Sequence, residues 1–163
     1  MTAKSIKALG DSDIGVPYSI SLANNPVGNE GAKAFTSISR FSGTRLLSLS
    51  NTKITEQGVG HLFGSDSAIG FLLHLDLSQN DLGDTGVDII AQYPRAKSLT
   101  ELFLDDVGMT DLGAKSLAGS PSLGNVTYLS VSGNKLTAAG VSSIKSSTNF
   151  AENASFYFGE TFE

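Results

Sequence analysis

Four side chains within one short stretch carry groups able to do chemistry: the imidazole of His74 and the carboxylates of Asp76, Glu101 and Asp105. An imidazole among carboxylates is a set able to hold a divalent cation or to act in acid/base steps. His74 and Asp76 stand a two-residue step apart, which on a strand puts both on one face. Serines are frequent, Ser48, Ser78 and Ser130 among them, and His61 is the only other histidine. Nothing in their spacing pairs a hydroxyl with a base and an oxyanion donor, so no catalytic residue is assigned and no enzyme is expected. The chain has no cysteine, which excludes disulfides, cysteine-ligated zinc and thiol nucleophiles. No metal and no cofactor is expected.

The elements that must position these residues are written in a repeat. In Leu72 to Ile90, the residues Leu75, Leu77, Asn80, Leu82 and Gly86 set a pattern that returns in four other places. The equivalents are Ile20/Leu22/Asn25/Val27/Gly31, Leu47/Leu49/Thr52/Ile54/Gly58, Leu102/Leu104/Val107/Met109/Gly113 and Leu129/Val131/Asn134/Leu136/Gly140. The five glycines are separated by 27, 28, 27 and 27 residues, within the period range of solenoid repeats. After each glycine the apolar spacing lengthens, as in Ala32/Phe35, Val59/Leu62, Val87/Ile90, Ala114/Leu117 and Val141/Ile144. A period of two followed by one of three to four reads as strand, turn and helix in every unit. The glycines lack both a G-x-G-x-x-G pattern and a following Gly-Lys-Ser/Thr, so they read as sites of close helix packing, not as phosphate loops.

On these residues the chain resembles the ribonuclease-inhibitor-like class of leucine-rich repeat proteins, whose units follow LxxLxLxxNxLxxxGxxxL. Leu72, Leu75, Leu77, Asn80, Leu82, Gly86 and Ile90 carry that motif in full. The resemblance spans nearly the whole chain. It implies an α/β solenoid, a short horseshoe with a parallel sheet on the concave face and helices on the convex face. The expected organisation is a single domain over 1–163, with a partial N-terminal repeat or cap at 1–16, five repeats at 17–152 and a partial C-terminal repeat or cap at 153–163.

Asn25, Asn80 and Asn134 fall where the chain leaves a strand and its amides lose ladder partners, so their side chains are expected to satisfy backbone groups. Thr52 can do part of that work. Val107 cannot, and the fourth turn is therefore expected to show an irregular backbone or a bound water. The tail ENASFYFGETFE continues the repeat, with Phe156 and Phe158 standing 27 residues beyond Leu129 and Val131, and predicts a sixth strand. Phe150, Phe156, Phe158 and Phe162 suit a hydrophobic cap there.

Between the inward L-x-L residues lie outward positions that the repeat does not constrain. In the first two units these are Ser19, Ser21, Ala23, Leu46, Ser48 and Ser50, which look bland. The next three units bring His74, Asp76, Glu101, Phe103, Asp105 and Tyr128 onto neighbouring strands, with Tyr157 in the tail. An exposed Phe flanked by Tyr and carboxylates is the composition of a binding hot spot, so these six residues are the candidate partner-binding set.

A formal charge of −5 disfavours nucleic acid, which is held mainly through Lys and Arg on phosphates. No run approaches membrane-spanning length, and MTAKSIKALG lacks the apolar core of a signal peptide. The partner expected is a protein of unknown identity, bound by a monomer. The resemblance spans cytosolic regulators and inhibitors in eukaryotes, recognition parts of ligases, and effectors of intracellular bacteria. Glu152, Glu160 and Glu163 in an aromatic tail look like the export signal of type IV secretion. With the missing cysteine caps, they favour a bacterial effector acting on a host protein in the host cytosol.

Overall fold

A computed structural model describes residues 3–12, 15–65 and 67–159. Helix α1 (Ala3–Asp11) is followed by alternating strands and helices: β1 (Ser19–Ser21), α2 (Gly28–Thr36), β2 (Leu46–Ser48), α3 (Glu56–Leu62), β3 (His74–Asp76), α4 (Gly83–Gln92), β4 (Glu101–Phe103), α5 (Asp111–Ala118), β5 (Tyr128–Ser130), α6 (Ala138–Lys145) and β6 (Ser155–Tyr157). The strands form one open, parallel sheet in sequential order. Each helix packs on the next, beginning with α1 against α2. This is an α/β solenoid. Packed helices need about 8–10 Å per step whereas strands need about 4.8 Å, so the sheet takes the inner, concave side of the curve.

The inward residues make one continuous core. Leu47, Leu49, Leu75, Leu77, Leu102, Leu104, Leu129 and Val131 are buried, as are Phe35, Leu62, Ile90, Leu117 and Ile144 from the helices. Ile6 of α1 joins the same cluster at one end. At the other end Phe150 is buried, Phe156 and Phe158 are half-buried, and their rings meet in sequence, edge-on and then tilted, at 5.3 and 6.4 Å between centroids. Phe162 lies outside the described residues.

Where each strand ends, the residue before the repeated Asn position turns left-handed: Asn24, Asn51, Gln79, Asp106 and Gly133 have φ between 51° and 68°. That turn exposes amides and carbonyls, and the Asn side chains close them across two units at once. Asn80 Oδ1 accepts from the amides of Thr52 and Ile54, both at 3.0 Å. Its Nδ2 donates to the carbonyls of Leu49, Leu77 and Ser78 at 2.8, 2.9 and 3.2 Å. Asn134 repeats the arrangement, accepting from Val107 and Met109 and donating to Leu104, Val131 and Ser132. The backbone irregularity expected at Val107 is present in a mild form: a second left-handed residue, Gly108, follows it, where the Asn-bearing turns have none. The fourth turn has the same left-handed pair as the second, Asp106 and Gly108 matching Asn51 and Lys53, and Asn134 supplies what Val107 lacks. Thr52 adds a hydroxyl bond to Leu49 O at 2.6 Å. Asn25 reaches only its own turn, donating to the Leu22 and Ala23 carbonyls.

The helix starts alternate in form through the first four units, and the fifth repeats the form of the fourth. Units two, four and five begin their helices with the N-caps Thr55, Thr110 and Thr137, whose hydroxyls accept from the amides two residues on. Units one and three begin instead with Gly28 and Gly83 at positive φ, followed by Asn29 and Asp84. These two side chains reach forward. Asn29 bonds the amide and hydroxyl of Thr55, both at 3.0 Å. Asp84 accepts from the Thr110 amide and hydroxyl at 2.8 and 2.7 Å and from the Gly113 amide at 2.9 Å. Asp111 clasps Thr137 in the same way.

The repeat glycines sit in these seams. A Cβ on Gly113 would lie 2.7 Å from Asp84 Oδ1, and one on Gly58 would lie 2.6 Å from Asn29 Oδ1. Gly31, Gly86 and Gly140 hold the equivalent places near the start of their helices.

Two outcomes follow from these bonds. Asn80→Ala orphans buried groups in two turns and lowers stability by about 3 kcal/mol in urea unfolding, whereas Asn25→Ala costs about 1 kcal/mol. Partial burial raises the Asp84 pKa, but the bonds from Thr110 and Gly113 outweigh it and hold the group below the ordinary 3.8. A depressed carboxylate stabilises the fold above its unfolded value, and that contribution is lost as the pH falls through the lower folded value. Asp84→Asn, which copies Asn29, is expected to fold and to flatten the acid limb of stability against pH. An unchanged acid limb would contradict the role given to Asp84.

Candidate functional site

The parallel register turns separate sequence positions into rows across the sheet. One row runs Ser19, Leu46, His74, Glu101, Tyr128 and Ser155, and the next runs Ser21, Ser48, Asp76, Phe103, Ser130 and Tyr157. Because the middle residue of each of these three-residue strands is the inward leucine or its equivalent, both rows project from the concave face.

Of the six candidate residues, four come together. His74 Nδ1 and Glu101 Oε2 are 2.8 Å apart, with the Glu101 side chain 49% exposed. The His74 and Phe103 rings are 5.0 Å apart between centroids, and the Phe103 and Tyr128 rings 5.3 Å, both tilted. Three rings thus cross β3, β4 and β5 as one aromatic row that steps from the first register row to the second at Phe103 and back. Phe103 is half-buried in the middle of it, so the freely exposed Phe expected from sequence is corrected. The His74 and Tyr128 rings lie against it from the two neighbouring strands.

Asp76 and Asp105 are occupied differently. Asp76 Oδ1 accepts from the Ser78 amide at 3.0 Å, and Oδ2 accepts from the Ser48 hydroxyl at 3.0 Å. Asp105 Oδ1 accepts from the Ser130 hydroxyl and the Ser132 amide, both at 2.6 Å. These carboxylates brace strand ends while adding negative charge to the face. Among the described residues no group of three or more His, Asp or Glu is arranged to hold a metal ion. Ser48 and Ser130 are thereby tied to carboxylates, away from His74.

The strands contain no Lys or Arg; all eleven cationic residues lie elsewhere. Arg45 is the nearest in sequence to the row, and its guanidinium turns to the carbonyls of Ser42 and Thr44 at 3.4 and 3.2 Å.

Sequence reasoning passed over one feature. The small outward residues of units one and two leave an apolar depression of about 150 Å³ lined by Ser19, Ser21, Leu46, Ser48 and His74 with the backbone around them. Leu46 alone among those serines was the available sign of it.

Three stretches, 19–35, 71–91 and 125–145, match the family model described as Leucine Rich repeat. With the six-strand ladder, they support an α/β solenoid built of leucine-rich repeats, a kind of repeat that generally mediates protein–protein interaction. Comparison with curated proteins finds no match to the chain. No helix among the described residues is long and apolar enough to cross a membrane.

The aromatic row stands on the surface of the sheet, not inside its core. Phe103→Ala is therefore expected to cost only about 1 kcal/mol, whereas Leu102→Ala beside it, fully buried, costs about 3 kcal/mol. Paired urea titrations check this, and equal losses would place Phe103 in the core.

Proposed function

We propose that the chain is a protein-interaction module that holds a protein partner across the concave face of units three to five, with His74, Glu101, Phe103 and Tyr128 at the centre and Asp76 and Asp105 at its flank. The observation that carries this is the continuous row of three rings on adjacent strands. Half-exposed aromatic rings next to a solvated carboxylate offer contact area at low conformational cost. The core beneath fixes their spacing, so binding requires rigid presentation and no bond-making step.

The finer proposal is a monomeric bacterial effector that acts on a host protein in the host cytosol. Its support is the tail, where exposed Glu152 adjoins the aromatic end of the solenoid; Glu160 and Glu163 lie outside the described residues.

The test is capture from a eukaryotic lysate and, in parallel, from a bacterial one, comparing the wild type with a Phe103→Ala/Tyr128→Ala variant shown to be folded by circular dichroism. The proposal expects a protein held from the eukaryotic lysate by the wild type and reduced at least about tenfold by the variant. Equal retention by both would move the interface off this face, and capture confined to the bacterial lysate would remove the effector assignment.

A further inference from the structure

We infer that the concave face takes an extended basic segment of its partner, laid across the strands, with an aliphatic side chain in the depression over Leu46 and an arginine three residues along it facing Glu101. This inference rests on the concave-face proposal and deepens it by naming the chemistry of the occupant.

Charge gives the first argument. The six strands carry Asp76 and Glu101 and no Lys or Arg, and Asp105 follows β4 directly. Arg45, at the edge where the strands begin, is held by carbonyls at its own turn. A cation approaching units three to five therefore meets carboxylates with no Lys or Arg on the strands, and it meets Glu101 beside the oxygen that His74 Nδ1 engages at 2.8 Å. Glu101 stands between the partly exposed His74 and Tyr128 in one row, with Phe103 two residues along its own strand. A planar guanidinium suits that setting better than an ammonium, because it pairs with a carboxylate while stacking on aromatic faces.

Shape gives the second argument. The depression holds about 150 Å³ and is mostly apolar at its floor, where Leu46 lies between small serines. It adjoins the row at His74, which lines its far side. Leu46, His74 and Glu101 are successive register partners. Two strand spacings of about 4.8 Å separate the first from the third, so about 9.6 Å is spanned. An extended chain covers about 3.3 Å per residue, and three residues match that distance. An aliphatic residue and an arginine three positions apart therefore reach both features at once, while the chain between them passes over His74.

The test uses the full chain, labelled with ¹⁵N, and the capped peptides GSGLSSRGSG and GSGRSSLGSG, which present the two residues in either order. Control peptides replace Arg by citrulline or by Glu, or remove one Ser to shorten the spacing. Amide shifts over β2, β3 and β4 are followed to several millimolar peptide. The expected result is that one order perturbs all three strands and binds at least about fivefold tighter than its citrulline, Glu and shortened counterparts. Raising the salt is expected to weaken that complex while leaving the citrulline peptide unaffected. In Glu101→Lys, judged folded from its dispersed amide spectrum, the preference reverses towards the Glu peptide.

The inference is overturned if neither order shifts those strands, or if the citrulline and Glu peptides bind as tightly as the Arg peptide. Loss of the captured partner in the Phe103→Ala/Tyr128→Ala variant alongside such a result would leave the concave-face proposal standing without a basic occupant. Retention of the partner by that variant would remove both.

Discussion

The carboxamides of Asn80 and Asn134 each tie two consecutive strand ends together, and the register of the sheet depends on that tie. A strand of three residues has few ladder bonds of its own, and the chain leaves it through a left-handed turn that strands further amides and carbonyls. Closing those groups with one side chain that bonds both its own turn and the preceding one sets unit against unit. The helix side is fastened similarly by Asn29, Asp84 and Asp111, which bond the helix start of the following unit. One set of bonds points back along the chain and the other forward. The outward residues can vary because neither set uses their surface.

The concave face inherits its geometry from this fastening. His74, Glu101 and Tyr128 are far apart in sequence yet stand in one row because their strands are locked in step. Their rings and carboxylate contribute little to the core, which is filled by the alternate leucines. Side chains that are dispensable for folding and held at fixed spacing are the usual material of a recognition surface. The same face is acidic without Lys or Arg on its strands, and the helices and loops carry the basic residues. The helices mix Glu30, Glu56, Asp88 and Asp111 with lysines, whereas the strands bear carboxylates alone.

Much of the fold was legible because its periodicity is direct physics: two-residue alternation for Leu75 and Leu77, then helical spacing for Val87 and Ile90. The sixth strand was legible from Phe156 and Phe158 alone. The two forms of helix start were written just as openly, in Thr55, Thr110 and Thr137 three residues before a repeat glycine against Gly28-Asn29 and Gly83-Asp84, but they show only when units are compared with one another. The behaviour of Val107 was not legible within its own unit, since the group that satisfies its turn is Asn134, 27 residues later. At the candidate site the row membership of His74, Glu101 and Tyr128 followed from register. The half-burial of Phe103 did not, because it depends on how neighbouring rings tilt. Asp76 and Asp105 looked like free carboxylates until their bonds to serines and to backbone were seen.

The central claim is that the concave row, and not the helical side, meets the partner. Site-specific photo-cross-linking tests it most directly, with a benzophenone side chain placed at Tyr128 on β5 in one variant and at exposed Lys115 on α5 in another. Concave-face binding predicts a covalent adduct with a partner protein from position 128 and none from position 115. An adduct formed only from position 115 would contradict it.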